Sequence, residues 1–149
     1  MHQYYPILLT LHLFGALMFI GAVFFEVLIL EGVRKKVSPR FMDAVEGAVG
    51  NRARQVMPWA LLVLYSAGIG MVWLNYLPAL ADFRNSSFGL LLGIKILIAI
   101  SVFGHFCTAM YLRSKGKLRG LYFKRLHQSV FTHMVCIVIL AKAMFYWVW

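Results

Sequence analysis

Residues 88–112 read FGLLLGIKILIAISVFGHFCTAMYL, an apolar run broken by one lysine, Lys95, and one histidine, His105. An α-helix needs about 20 mostly apolar residues to cross the hydrocarbon core of a bilayer, and a helix satisfies its backbone polar groups internally while it does so. Three further runs of this kind, at 6–30, 57–77 and 127–149, take up most of the remaining chain. With 149 residues, 62% of them hydrophobic and only 13% charged, too little polar surface is left for a water-soluble domain. The reading is one domain, residues 1–149, forming an all-α integral membrane protein: a left-handed, up-and-down four-helix transmembrane bundle. The N-terminus lacks the basic flank and small-residue cleavage site of a signal peptide, so the first run is expected to remain as a span.

Orientation follows from loop charge, because Lys and Arg concentrate on the cytoplasmic side. Arg34, Lys35, Lys36, Arg40, Arg52 and Arg54 lie between the first two runs, and Arg113, Lys115, Lys117, Arg119, Lys124 and Arg125 between the last two. The connection around Asp82 has Arg84 alone. Both termini are therefore expected outside, in a bacterial inner (plasma) membrane. The net charge of +10 reads as this bias together with attraction to anionic lipid, not as a nucleic-acid surface.

The first basic segment carries helix signals of its own. Ser38 and Pro39 suit an N-cap and first helical position, and Phe41, Met42, Val45 and Val49 recur at helical spacing. A helix beginning there and running into the second span would contain Pro58 and kink at it. Gly47 and Gly50 leave open a short interfacial helix followed by a separate span. Gly89 and Gly93 form a small-xxx-small step for close helix approach. Trp73, Tyr76, Trp147, Trp149, Tyr4 and Tyr5 are expected as outer interfacial anchors, and Trp59 and Tyr111 as inner ones.

Polar residues inside the spans are costly and usually face a bundle interior. Here they are His12, Glu26, Lys95, His105, His133 and Lys142. At about 1.5 Å rise per residue, His12, Met71, Lys95 and Lys142 fall in the outer half, and His105 and His133 at nearly one level in the inner half. The third and fourth spans run in opposite directions, so adjacent helices would present His105 and His133 to one site. His127 is six residues from His133 and cannot share its face.

Histidines at matched depth on facing helices are a way to hold b-type haem through axial imidazoles, and Phe103, Phe106, Phe131 and Met134 would flank such a group. The plain alternative is that His105 and His133 only hydrogen-bond between helices. Lys142 can snorkel to the headgroups. Lys95 lies near the level of His12, where a neutral amine would ligate iron and a charged one would pair with a haem propionate. Glu26 reads either as an ion pair with Arg52 or Arg54, or as a proton-handling group. His, Met and Cys also suit copper, but the Met and Cys residues form no Met-x-x-Met or Cys-x-x-Cys cluster. Cys107 and Cys136 read as small apolar residues rather than a disulfide on the cytoplasmic side.

The early His of the first span with its glycine-containing apolar continuation (His12 to Gly21), Arg40-Phe41 before Glu46, Met57-Pro58, and Lys95 followed by His105 and Arg113 resemble the HemJ-type protoporphyrinogen oxidases and related CopD-like four-helix membrane proteins. The resemblance implies a membrane-bound b-type haem and oxidation of protoporphyrinogen, with His12 and Lys95 as the essential pair. Its CopD-like branch implies copper handling. Two departures stand beside it: residues 24–30 carry Glu26 where the family has Arg, and the Asn-Glu-x-Pro of the fourth span reads His127-Gln128-Ser129-Val130.

The leading expectation is a haem b redox protein with one or two haems, either an electron-transfer protein or a haem-dependent oxidoreductase, with quinone or a cytochrome as electron partner. His12, His105 and His133 are the candidate ligands, and Lys95 is a ligand, catalytic group or tuning charge. Copper transport is the alternative. A noncatalytic assembly subunit is the third reading. Membrane lipid is the expected surroundings, no nucleic acid is expected, and self-association into a homo-oligomer is allowed.

Overall fold

Pro6 sits in the first turn of helix α1 (Tyr5–Phe24), where a missing backbone N–H costs no hydrogen bond. In the computed structural model, which describes residues 2–116 and 121–147, all regular structure among the described residues is helical. α1 passes through a π-helical stretch, Phe25–Leu30, into the short α2 (Glu31–Arg34). α3 (Pro39–Met71) follows, then a second π-helical stretch, Val72–Tyr76, and α4 (Leu77–Ala81). α5 (Ser87–Ser114) and α6 (Leu121–Tyr146) complete the order.

Four stretches, Tyr5–Arg34, Pro39–Ala81, Ser87–Ser114 and Lys124–Tyr146, are long and apolar enough to cross a membrane. The first three outrun the apolar runs in the sequence because intrahelical hydrogen bonding continues past the apolar residues into polar flanks. Lys117, Arg119 and Trp149 lie outside the described residues.

The chain divides into two compact units, Met1–Met71 and Val72–Trp149. In the first, α3 begins at Pro39 and continues through Pro58 without a break. The Phe41 N–H approaches Ser38 Oγ at 3.4 Å and the Met42 N–H donates to Ser38 O at 3.0 Å, as an N-terminal cap requires. Neither Gly47 nor Gly50 ends the helix, since a glycine costs a helix only about 1 kcal/mol and Gly50 is buried. At 33 residues α3 alone is about 50 Å long, more than a hydrocarbon core accommodates. Its first turns are the amphipathic part, burying Met42 and Gly50 while Arg40, Arg52 and Arg54 stay exposed.

α1 and α3 pack antiparallel, Phe19 and Val23 of α1 and Ala60, Leu61, Ala67 and Met71 of α3 being buried. Beyond α1, Arg34 bridges Glu31, at 3.0 Å from Nε, and Glu46 of α3. Arg52 and Arg54 hydrogen-bond Gln55 and Asn51, one turn away on their own helix, at 3.1 and 2.7 Å.

In the second unit Ser86 caps α5, its Oγ accepting from the Gly89 N–H at 3.1 Å. A Cβ on Gly89 would lie 2.0 Å from Ala79 O, so the glycine lets α5 close directly on α4. The close approach expected of the small-residue step is therefore made by Gly89 to the segment immediately before it. Gly93 has only an ordinary contact, with Leu80. Leu91 and Leu92 of α5 and Met144 of α6 form a buried cluster, with Tyr76, Phe88 and Leu140 packed against it. Tyr76 packs against Phe88 with ring centroids 5.1 Å apart and planes tilted by 43°, so it is a packing residue more than an interfacial anchor. Trp59, Trp73, Tyr4, Tyr111 and Trp147 are exposed, as anchors would be.

Candidate functional site

Helices long and apolar enough to cross a membrane hold His12 in the first unit and His105 and His133 in the second, and backbone carbonyls set the orientation of all three rings. In the first unit His12 reaches across from α1, its Nδ1 2.9 Å from Leu64 O on α3. A carbonyl oxygen only accepts, so Nδ1 carries the proton and Nε2 is the basic nitrogen. Two glycines make this contact available. A Cβ on Gly68, one turn after Leu64, would sit 3.1 Å from both Cε1 and Nδ1 of the His12 ring. A Cβ on Gly15 would meet the Leu64 backbone at 3.0 Å. Contact between His12 and Gly68, and between Gly15 and Leu64, fixes the antiparallel register.

In the second unit His105 and His133 are brought together, with ring centroids 5.0 Å apart and planes inclined by 55°. Their surroundings repeat. His105 Nδ1 lies 2.8 Å from Ser101 O and His133 Nδ1 lies 2.7 Å from Ser129 O, each acceptor being four residues back on the same helix. Both Nδ1 atoms therefore donate, and both Nε2 atoms accept. The acceptors are met by hydroxyls of the opposite helix: Ser129 Oγ–H donates to His105 Nε2 at 2.9 Å and Ser101 Oγ–H to His133 Nε2 at 3.1 Å. The four side chains form a clasp with near two-fold symmetry between antiparallel helices, and every imidazole nitrogen in it is satisfied.

The other candidate residues distribute as follows. Lys95 is half-buried and shares a stripe of α5 with the buried Leu91, Leu92 and Val102; ten residues separate it from His105, about 15 Å along the axis. Lys142 is exposed on α6, as snorkelling requires. Glu26 lies in the π-helical stretch Phe25–Leu30. Cys107 and Cys136 are exposed free thiols, each within three residues of its histidine. Asn75, in the π-helical stretch Val72–Tyr76, buries its Nδ2 with no hydrogen-bond partner among the described residues.

These positions test which groups the histidines suit. Two imidazoles on opposite faces of one haem iron need centroids about 6.3 Å apart, taking metal–nitrogen bonds of about 2.0 Å. At 5.0 Å, His105 and His133 stand too close to hold a porphyrin between them. His12 has the arrangement usual for a ligating histidine, with one ring nitrogen donating to a backbone carbonyl and the other basic. Among the described residues, no three or more His, Cys, Asp or Glu side chains gather into a metal-binding group.

Sequence reading singled out the histidines but not Ser101, Ser129, Gly15, Gly68 or the Leu64 carbonyl. A signal for the serines was present, since Ser-x-x-x-His occurs in both the third and the fourth span, at 101–105 and 129–133. No protein-family model, curated protein or solved structure matches this chain.

Proposed function

We propose that this chain is a multi-pass membrane redox protein that carries a b-type haem on His12, with both termini on the outer side of the membrane. The observation that carries the reading is the contact between His12 Nδ1 and the Leu64 carbonyl. It fixes the tautomer, raises the basicity of Nε2 and holds the ring against Gly68, as the outer shell of a metal-ligating histidine does. An iron held there would supply one-electron chemistry. What the protein contributes is placement, through Gly15 and Gly68, and a surrounding of low polarity that sets the potential. Quinone or a cytochrome is the proposed electron partner.

A reduced-minus-oxidised optical spectrum of the purified full chain, with a pyridine haemochrome assay, tests this. One haem b per chain is the expected result. Absence of haem after expression in a haem-replete host would overturn the reading. The sequence resemblance pairs His12 with Lys95, and a Lys95→Met variant examines that pairing: an unchanged spectrum and potential would remove Lys95 from the account.

A further inference from the structure

The polar first half of α3 carries a cluster that neither His12 nor the clasp uses. Asn51, Gln55, Trp59 and Leu62 follow one another at helical spacing and are all exposed, Trp59 at 70%, while Gly50, Ala60 and Leu61 are buried. At 100° per residue Arg52 and Arg54 fall on either side of this stripe, and each is drawn back to it. Arg52 donates forward to Gln55 Oε1 at 3.1 Å, and Arg54 donates backward to Asn51 Oδ1 at 2.7 Å. These partners are neutral, and among the described residues neither arginine meets a carboxylate, so both charges stay uncancelled. Arg34 of the same unit differs, being tied to Glu31 and Glu46. With its oxygen taken by Arg52, the Gln55 amide has its NH2 group left to offer. The face therefore presents hydrogen-bond donors and two positive charges, with an exposed indole one turn further along.

We propose that Asn51, Arg52, Arg54 and Gln55 bind the phosphate of an anionic phospholipid, with Trp59 and Leu62 lying against its glycerol and upper acyl chains. The inference rests on the membrane-spanning part of the proposed function and not on haem. A phosphodiester accepts hydrogen bonds and donates none, and a guanidinium fork is the side-chain group best matched to it. Depth decides which cations of this unit meet it. Tryptophan sits at headgroup level, and Arg54 and Arg52 lie about 7.5 and 10.5 Å from Trp59 along α3, within side-chain reach of that layer. Arg40 lies about 28 Å from Trp59, and Lys35 and Lys36 stand beside it at the tip of the α1–α3 hairpin. Charge is screened over about 8 Å at physiological ionic strength, so these exposed tip cations stand outside the headgroup layer. The arginine pair is thus a defined site, distinct from the general attraction of a basic loop to anionic lipid.

The test titrates the full chain in detergent with phosphatidylglycerol and with phosphatidylcholine, read by native mass spectrometry, and scores its insertion into phosphatidylcholine vesicles by alkaline extraction. One phosphatidylglycerol per chain is expected to bind about 10-fold tighter than phosphatidylcholine. Arg52→Gln/Arg54→Gln is expected to weaken phosphatidylglycerol binding about 10- to 30-fold, the worth of two cations at a headgroup. Lys35→Gln/Lys36→Gln removes the same charge from the hairpin tip and is expected to change binding by less than about 2-fold. If the glutamine variant fails to stay helical and monodisperse, Arg52→Lys/Arg54→Lys keeps the charge, removes the fork and is expected to weaken binding about 3-fold. Equal binding of the two lipids by wild type would overturn the site, as would wild-type affinity in the folded arginine variant or an equal loss in the lysine variant. Failure to enter phosphatidylcholine vesicles would overturn the membrane-spanning reading and the site with it, whereas entry without preference for phosphatidylglycerol would overturn the site alone.

Discussion

Ser101 makes two kinds of contact in the clasp, and a double-mutant cycle separates them. Its hydroxyl donates to His133 Nε2 across the helix pair at 3.1 Å, whereas its backbone carbonyl accepts from His105 Nδ1 on the same helix at 2.8 Å. Ser101→Ala removes the first and leaves the second. Hydrogen bonds between membrane helices are worth about 0.6 kcal/mol on average and reach about 1.7. The single substitution also leaves a half-buried acceptor on His133, which puts the cost toward the upper part of that range. Combined with His133→Ala, Ser101→Ala should cost little more than His133→Ala alone, giving a coupling energy of about 0.6–1.7 kcal/mol. Combined with His105→Ala, the effects should add to within about 0.3–0.5 kcal/mol, because alanine keeps the carbonyl that His105 uses. Unfolding of the wild type and the five variants in mixed detergent micelles, followed by circular dichroism, measures both cycles. Strong coupling to His105 with none to His133 would refute the clasp.

Further outcomes follow from other contacts. Gly89→Ala places a Cβ against the Ala79 carbonyl at 2.0 Å, a clash with backbone, and should lower stability by about 1–3 kcal/mol or more in the same unfolding assay. Ser86→Ala removes the cap on the Gly89 N–H and should cost about 1 kcal/mol. Gly68→Ala crowds the His12 ring at 3.1 Å; it should shift the haem absorption bands or lower haem content while leaving the His105–His133 clasp energies unchanged.

The four long apolar helices were legible because their signal is compositional: a run such as 88–112 has few alternatives once its length is matched to a bilayer. The long helix from Pro39 was legible as well, through Ser38-Pro39 and the spacing of Phe41, Met42, Val45 and Val49. The meeting of His105 and His133 followed from depth and chain direction alone, since two antiparallel helices bring residues at one level together. What lies beyond the histidines was harder to read. The partner of His12 is a backbone carbonyl, and every residue has one. Ser101 and Ser129 belong to a residue type so common in apolar helices that only the repeated four-residue offset distinguishes them. The inward turn of Tyr76 onto Phe88 depends on tertiary packing, which a rule about aromatic residues near helix ends does not contain.

The most direct measurement of the central claim compares haem content and the reduced-minus-oxidised spectrum of the purified wild type with those of His12→Ala, His105→Ala and His133→Ala, all expressed in a haem-replete host. One haem b per chain is expected in the wild type, lost in His12→Ala and retained in the other two. A spectrum that persists without His12, or that disappears with His105 or His133 in a chain that remains folded, would contradict it.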